Sequence, residues 1–116
     1  MSINQAVILC GGRGERLMPY TKKIPKPMIR INNKPFLLFI MKQLDRCNIK
    51  NFVLLTGYKG EKIKEYFKNG EKYGWKITYS HGPEDWNTGK RIFSAKKFFF
   101  KNFYLFYSYN FINFNI

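Results

Sequence analysis

A chain of 116 residues is one domain at most, with room for a modest core. Its 21 Lys and Arg against 7 Asp and Glu give a formal charge of +14. That excess favours anionic partners such as nucleotides, sugar phosphates, nucleic acid or acidic lipid surfaces, but the lysines are spread through every segment, as solvated helix faces are, and assign no specificity. Cys10 and Cys47 are too few and too separated for a disulfide framework or a metal cluster. Residues 1–5 lack the basic start of a signal peptide, and no segment has the length of a transmembrane helix, so the expectation is a cytoplasmic protein with no membrane partner.

The first element is a buried strand over Gln5–Cys10, read from the apolar run Ala6-Val7-Ile8-Leu9. Residues 11–24 form a loop. Pro27 to Ile31 reads as a short extended segment because Pro25 and Pro27 oppose helix around them, and Asn32-Asn33-Lys34 reads as a turn. A helix is predicted to start near Pro35, which suits a first helical turn. Phe36, Leu37, Ile40, Met41 and Leu44 recur at helical spacing in it, and Asn48 is the expected stop.

A second buried strand follows at Asn51–Thr56, then a turn at 57–60 and a helix at Glu61–Phe67 with Ile63, Tyr66 and Phe67 on one face. After a loop at Gly70–Gly74, Trp75–Ser80 alternates like a third strand. Thr88–Phe99 is predicted helical and Phe103–Tyr107 a fourth strand. Strand and helix alternate throughout, the order of an α/β fold with a mostly parallel sheet and flanking helices, its crossovers right-handed. Two regions are distinguished, residues 1–95 and an end rich in Phe, Tyr and Asn at 96–116.

The loop after the first strand carries the chemistry. Gly11, Gly12 and Gly14 follow the strand at once, allowing a sharp turn and close approach of a ligand to the main chain, and successive N–H groups in such a turn make a concave anion site. Arg13 and Arg16 lie in the loop and Lys26 closes it between two prolines. Neither the P-loop ending nor G-x-G-x-x-G is present. The full spacing, G-G-x-G-x-R-L-x-P-x-T-x-x-x-P-K-P-M, resembles the signature of the sugar-1-phosphate nucleotidyltransferases (the NDP-sugar pyrophosphorylases), and the resemblance covers their N-terminal half only.

The resemblance implies an α/β, Rossmann-like nucleotide-binding domain, truncated relative to the family. It implies transfer of a nucleotidyl group from a nucleoside triphosphate to a sugar 1-phosphate with release of pyrophosphate, for NDP-sugar synthesis, with Mg2+ bridging the phosphates. Leu9, Gly11, Gly12, Arg13 and Gly14 are then nucleotide-binding. Arg16, whose planar fork can hold two oxygens, and Lys26 are the catalytic cations. Arg13 is equally well a solvated side chain. Thr88-Gly89 resembles the family's turn near the nucleobase, and Thr88 or Asn87 equally suits a helix N-cap. His81, the single histidine, has no part in this chemistry, and Trp75 and Trp86 are expected to pack.

One position departs from the pattern. The family's metal-holding aspartate follows the fourth strand, and Tyr107-Ser108-Tyr109-Asn110 places Tyr109 there. A tyrosine is neutral near pH 7 and does not replace a carboxylate on magnesium, so no metal ligand is assigned. The alternative is therefore a catalytically inactive nucleotide-binding remnant. Expected partners are a nucleoside triphosphate, a sugar 1-phosphate and a second copy of the chain. A basic nucleic-acid-binding role is permitted by charge and aromatics but has no motif behind it. Base and sugar stay open.

Overall fold

The computed structural model describes residues 3–11 and 24–108. Four strands, β1 (Gln5–Cys10), β4 (Asn51–Thr56), β5 (Lys76–His81) and β6 (Tyr104–Tyr107), form one all-parallel sheet in the order β5-β4-β1-β6. Three helices connect them: α1 (Phe36–Asp45), α2 (Gly60–Phe67) and α3 (Thr88–Ala95). A two-stranded antiparallel ribbon, β2 (Arg30–Ile31) and β3 (Lys34–Pro35), precedes α1.

The apolar run of β1 reflects its place. All six of its residues are buried, because a parallel strand inside a sheet is covered on both faces. Ala6, Ile8 and Cys10 point to the face covered by α1 and α2, where Leu37, Ile40, Met41, Ile63 and Phe67 meet Phe52 and Leu54. Val7 and Leu9 point to the other face, packing with Val53, Leu55 and the Ala95 of α3. The chain thus moves from β1 through β4 to β5 under α1 and α2, then returns under α3 to add β6 on the far side of β1. The order reverses between β1 and β6, and a cleft opens beyond the carboxyl ends at such a switch point.

The helix ends follow local chemistry. Asn48 lies in the left-handed region at φ 67°, and the Cys47 and Ile49 N–H groups both donate to the Leu44 carbonyl, closing α1. Asn87 caps α3, its side chain accepting from the Lys90 N–H at 2.8 Å. Asn32 and Asn33, at φ 53° and 68°, make the tight ribbon turn that Asn tolerates better than most residues.

Two expectations are corrected. The segment from Pro27 is not extended throughout: Lys26–Met28 is one turn of 3-10 helix, with the Met28 N–H donating to the Pro25 carbonyl at 2.9 Å, and the strand is confined to Arg30–Ile31. Pro27 stands where a turn needs no N–H, and its fixed φ suits that turn. The last helix ends at Ala95 rather than Phe99, followed by a 3-10 turn at Lys96–Phe98. The cause lies at the start of β1, where the buried Gln5 side chain donates to the Phe98 carbonyl at 3.0 Å and accepts from the Phe100 N–H at 2.7 Å. Those two bonds draw the backbone out of helical register and bind the described part of 96–116 to the sheet.

Gln5→Ala removes both bonds and strands two backbone groups, which costs about 1–3 kcal/mol. Urea unfolding should show the midpoint falling accordingly, and an unchanged midpoint would refute the clamp. A second prediction concerns acid. The Lys50 ammonium and the Trp75 indole N–H both donate to Asp45, and Lys50's hydrogen bond, first among the causes, holds the Asp45 carboxyl below its ordinary value. A depressed acid stabilises the fold above its unfolded pKa and loses that contribution as pH falls through its folded one. The pair is partly exposed, so the term is under about 1 kcal/mol. Asp45→Asn should flatten the stability loss below about pH 4 while leaving the neutral-pH slope unaltered.

Candidate functional site: a cleft at the switch point

A cleft of about 390 Å³ opens at the carboxyl ends of β1 and β6. Four sequence-predicted residues share its wall: Leu9, Gly11, Lys26 and Thr88. β1 delivers Leu9 and Gly11, and the buried prolines at 25 and 27 fix the backbone of Lys26 on one side. α3 presents Thr88 at its first turn on the other. The strand ends are tied together below, the Ser108 N–H donating to the Leu9 carbonyl at 3.2 Å and the Tyr58 N–H to the Gly11 carbonyl at 3.4 Å. Gly12, Arg13, Gly14, Arg16 and Tyr109 lie outside the described residues.

Gly89 does not line the cleft; an added Cβ there would meet only the Asn87 side chain, at 3.6 Å. At Gly11 and Gly57 the want of a Cβ is steric. Both press on the guanidinium of Arg91, a residue the sequence reading left out. A Cβ on Gly11 would stand 2.6 Å from Arg91 Cζ, and one on Gly57 2.6 Å from its Nη2. Arg91 is only 6% exposed. It donates from Nη1 to the Thr56 carbonyl at 3.0 Å, and from Nη2 to the carbonyls of Pro83 at 2.8 Å and Glu84 at 3.2 Å. Burial lowers its pKa and the Asp85 carboxylate opposes that shift. Arginine remains charged in any case.

Glu84, Trp86 and Ser108 also line the cleft. Trp86, expected to pack, does both: its ring lies against Gly82, where a Cβ would meet it at 2.4 Å, and it forms part of the wall. Trp75 is core, stacked on Tyr73 at 4.6 Å and edge-on to Phe52 at 5.2 Å. His81 is exposed beyond the cleft, its Nδ1 2.9 Å from the Thr56 hydroxyl. Among the described residues no three His, Cys, Asp or Glu side chains come close enough to hold a metal ion, and Glu84 is the single carboxylate they bring to the cleft wall. The described residues do not make a magnesium site. No helix among the described residues is long and apolar enough to cross a membrane.

A family model described as nucleotidyl transferase matches residues 5–112. The chain belongs to the nucleotidyl transferase family. It is 52% identical, over 81% of its length, to D-glycero-alpha-D-manno-heptose 1-phosphate guanylyltransferase of Campylobacter jejuni, and covers 42% of that protein. It is 40% identical, again over 81%, to the probable glucose-1-phosphate cytidylyltransferase of Bacillus subtilis, covering 45% of it. The solved structure of HddC from Yersinia pseudotuberculosis complexed with GMP-PN superposes with a TM-score of 0.78 at 30% identity, over 91% of this chain and 48% of that one. The chain thus spans under half the length of these nucleotidyl transferase relatives, and its α/β, Rossmann-like sheet is theirs.

Cys10 of this nucleotidyl transferase fold separates backbone from side chain. It stands at the cleft, yet its thiol lies in the core beneath α1 and α2, where burial pushes its pKa up. A thiolate is the reactive form. Native alkylation with iodoacetamide should therefore add one group, on the exposed Cys47, with the second appearing only on unfolding. Equal labelling of both in the folded protein, read by mass spectrometry, would refute the buried position.

Proposed function

We propose that the cleft binds a nucleoside triphosphate, and that the reaction it serves is nucleotidyl transfer to a sugar 1-phosphate. The observation that carries this reading is the gathering of Gly11, Lys26 and Thr88 around one cleft at the sheet's switch point, in a chain whose relatives bear names of that activity. A phosphate oxygen of the sugar 1-phosphate attacks the α-phosphorus and the bond to the β-phosphate oxygen breaks. Pyrophosphate departs with that electron pair and the NDP-sugar forms. Such a reaction asks for two anions held in line and for charge neutralised as it develops. Lys26, on a backbone stiffened by Pro25 and Pro27, supplies a fixed positive charge at the phosphates. Arg16 does the same from the loop, the loop glycines offer main-chain N–H groups, and Thr88 closes the wall on the nucleobase side. Guanine and cytosine are the first bases to test, and the cytoplasm, where triphosphates are abundant, is the compartment.

A second reading rests on position 109, where tyrosine stands at the aspartate of the family pattern. Under it the cleft binds a triphosphate without turnover. Calorimetry with GTP, CTP, UTP and dTTP tests the shared first step. One triphosphate should bind, and Lys26→Ala should weaken it about tenfold, or about 1.4 kcal/mol. Failure of all four to bind a folded chain overturns the reading. Pyrophosphate release with a sugar 1-phosphate present separates the two: measurable turnover removes the inactive alternative, and binding without release supports it.

A further inference from the structure

Arg91 lines the cleft and joins the ends of β1 and β4 to the segment after β5, and nothing in the nucleotide reading uses it. Its guanidinium is sandwiched between the backbones of Gly11, where the loop after β1 begins, and Gly57, where the turn after β4 begins. Its Nη1 bonds the last carbonyl of β4, and that Thr56 oxygen also accepts from the Gly82 N–H at 3.0 Å, at the start of the segment joining β5 to α3. Its Nη2 takes the two carbonyls that follow in that segment, at Pro83 and Glu84. The segment then runs through Trp86 to the Asn87 cap, and the Asn87 carbonyl accepts from the Arg91 N–H at 3.1 Å. The side chain and its own helix start close a ring of hydrogen bonds around the wall opposite Lys26.

We infer that Arg91 is a positioning residue that sets the separation of the two cleft walls. It does so by joining the ends of β1 and β4 to the segment at 82–87. The inference rests on the nucleotide reading of the cleft and deepens it. The chemistry favours arginine alone. A planar guanidinium can aim donors at carbonyls in two directions at once, whereas an ammonium is a point charge on a flexible stem. Arg91 is held by backbone carbonyls, which fix its plane as well as satisfying its donors. The two glycines follow from the same fact, since a Cβ at either would overlap the guanidinium. Gly11 and the segment that carries Glu84, Trp86 and Thr88 all line the cleft, so a shift of the guanidinium moves them together.

The test compares the unaltered chain with Arg91→Lys and Gly57→Ala, by calorimetric titration with whichever of GTP, CTP, UTP and dTTP binds the unaltered chain, alongside thermal melting. Arg91→Lys should lose at least tenfold in triphosphate affinity, read at a temperature where the variant is fully folded, together with a lower melting temperature. A role in stability alone would move the melting temperature and spare the affinity. Gly57→Ala keeps the arginine but displaces it, so it should reproduce the affinity loss and covers the case in which Arg91→Lys does not fold. Combining the two should cost no more than the larger single effect. Full affinity in either folded single variant overturns the positioning role while leaving the nucleotide reading intact. No binding by the folded, unaltered chain overturns the nucleotide reading, and this inference falls with it.

Discussion

Burial of β1 on both faces is the constraint from which the rest of the molecule follows. A strand covered above and below has to send its backbone groups sideways, and β1 pairs in parallel with β4 on one edge and β6 on the other. Its side chains then divide by alternation, Ala6 and Ile8 toward α1 and α2, Val7 and Leu9 toward α3. Because β4 and β5 lie to one side and β6 to the other, the carboxyl end of β1 is where the chain's winding reverses. The chain leaves the sheet at that point, through Gly11. The place of the cleft is therefore a consequence of topology before any functional side chain is considered.

Charge is used in two different ways in this molecule. Most of its 21 cationic residues sit on exposed faces, several over aromatic rings, as Lys90 over Trp86 at 5.1 Å and Lys64 over Tyr79 at 5.7 Å. They raise the potential around the chain and so the encounter rate with anions, and they weaken with salt. Arg91 differs in kind. Burial disfavours its charge, and three backbone carbonyls compensate for the water it has lost. A desolvated guanidinium costs several kcal/mol if a partner is removed, so its carbonyl partners are held in place as firmly as it is. Long-range attraction and local order thus come from the same residue chemistry in different surroundings.

Much of this was legible in the sequence. The runs at 6–9 and 52–55, the helical spacing of Phe36 to Leu44 and the Asn48 stop each match what the structure contains, since each is a local signal that tertiary context reinforces. The glycine and Pro-Lys-Pro pattern pointed to Gly11 and Lys26, fifteen positions apart and lining one cleft. What the sequence concealed depended on contacts between distant segments. Gln5 reads as the polar start of a strand until its partners at 98 and 100 are known. Arg91 reads as one more cation on an amphipathic helix, and only the approach of Gly11 and Gly57 shows that it is enclosed. Its spacing from Thr88, three residues along one helix, was the one available hint. Of the pair Thr88-Gly89 the structure brings Thr88 to the cleft wall and leaves Gly89 off it, a difference hidden in the sequence because an exposed helical glycine and a closely packed one look alike there.

The two halves of the proposed function make different demands on this architecture. Holding a triphosphate requires anion-binding main chain, fixed cations and a wall for the base. The elements that position these groups, β1, the Lys26 turn, the segment at 82–87 and α3, all belong to the described sheet and its connections. Transfer requires in addition an acceptor phosphate and compensation for the charge that develops as pyrophosphate leaves. For that second demand the described residues bring one carboxylate, Glu84, to the wall. Binding and turnover are therefore separable properties here. The cleft is organised by backbone geometry and by Arg91, neither of which depends on whether chemistry follows.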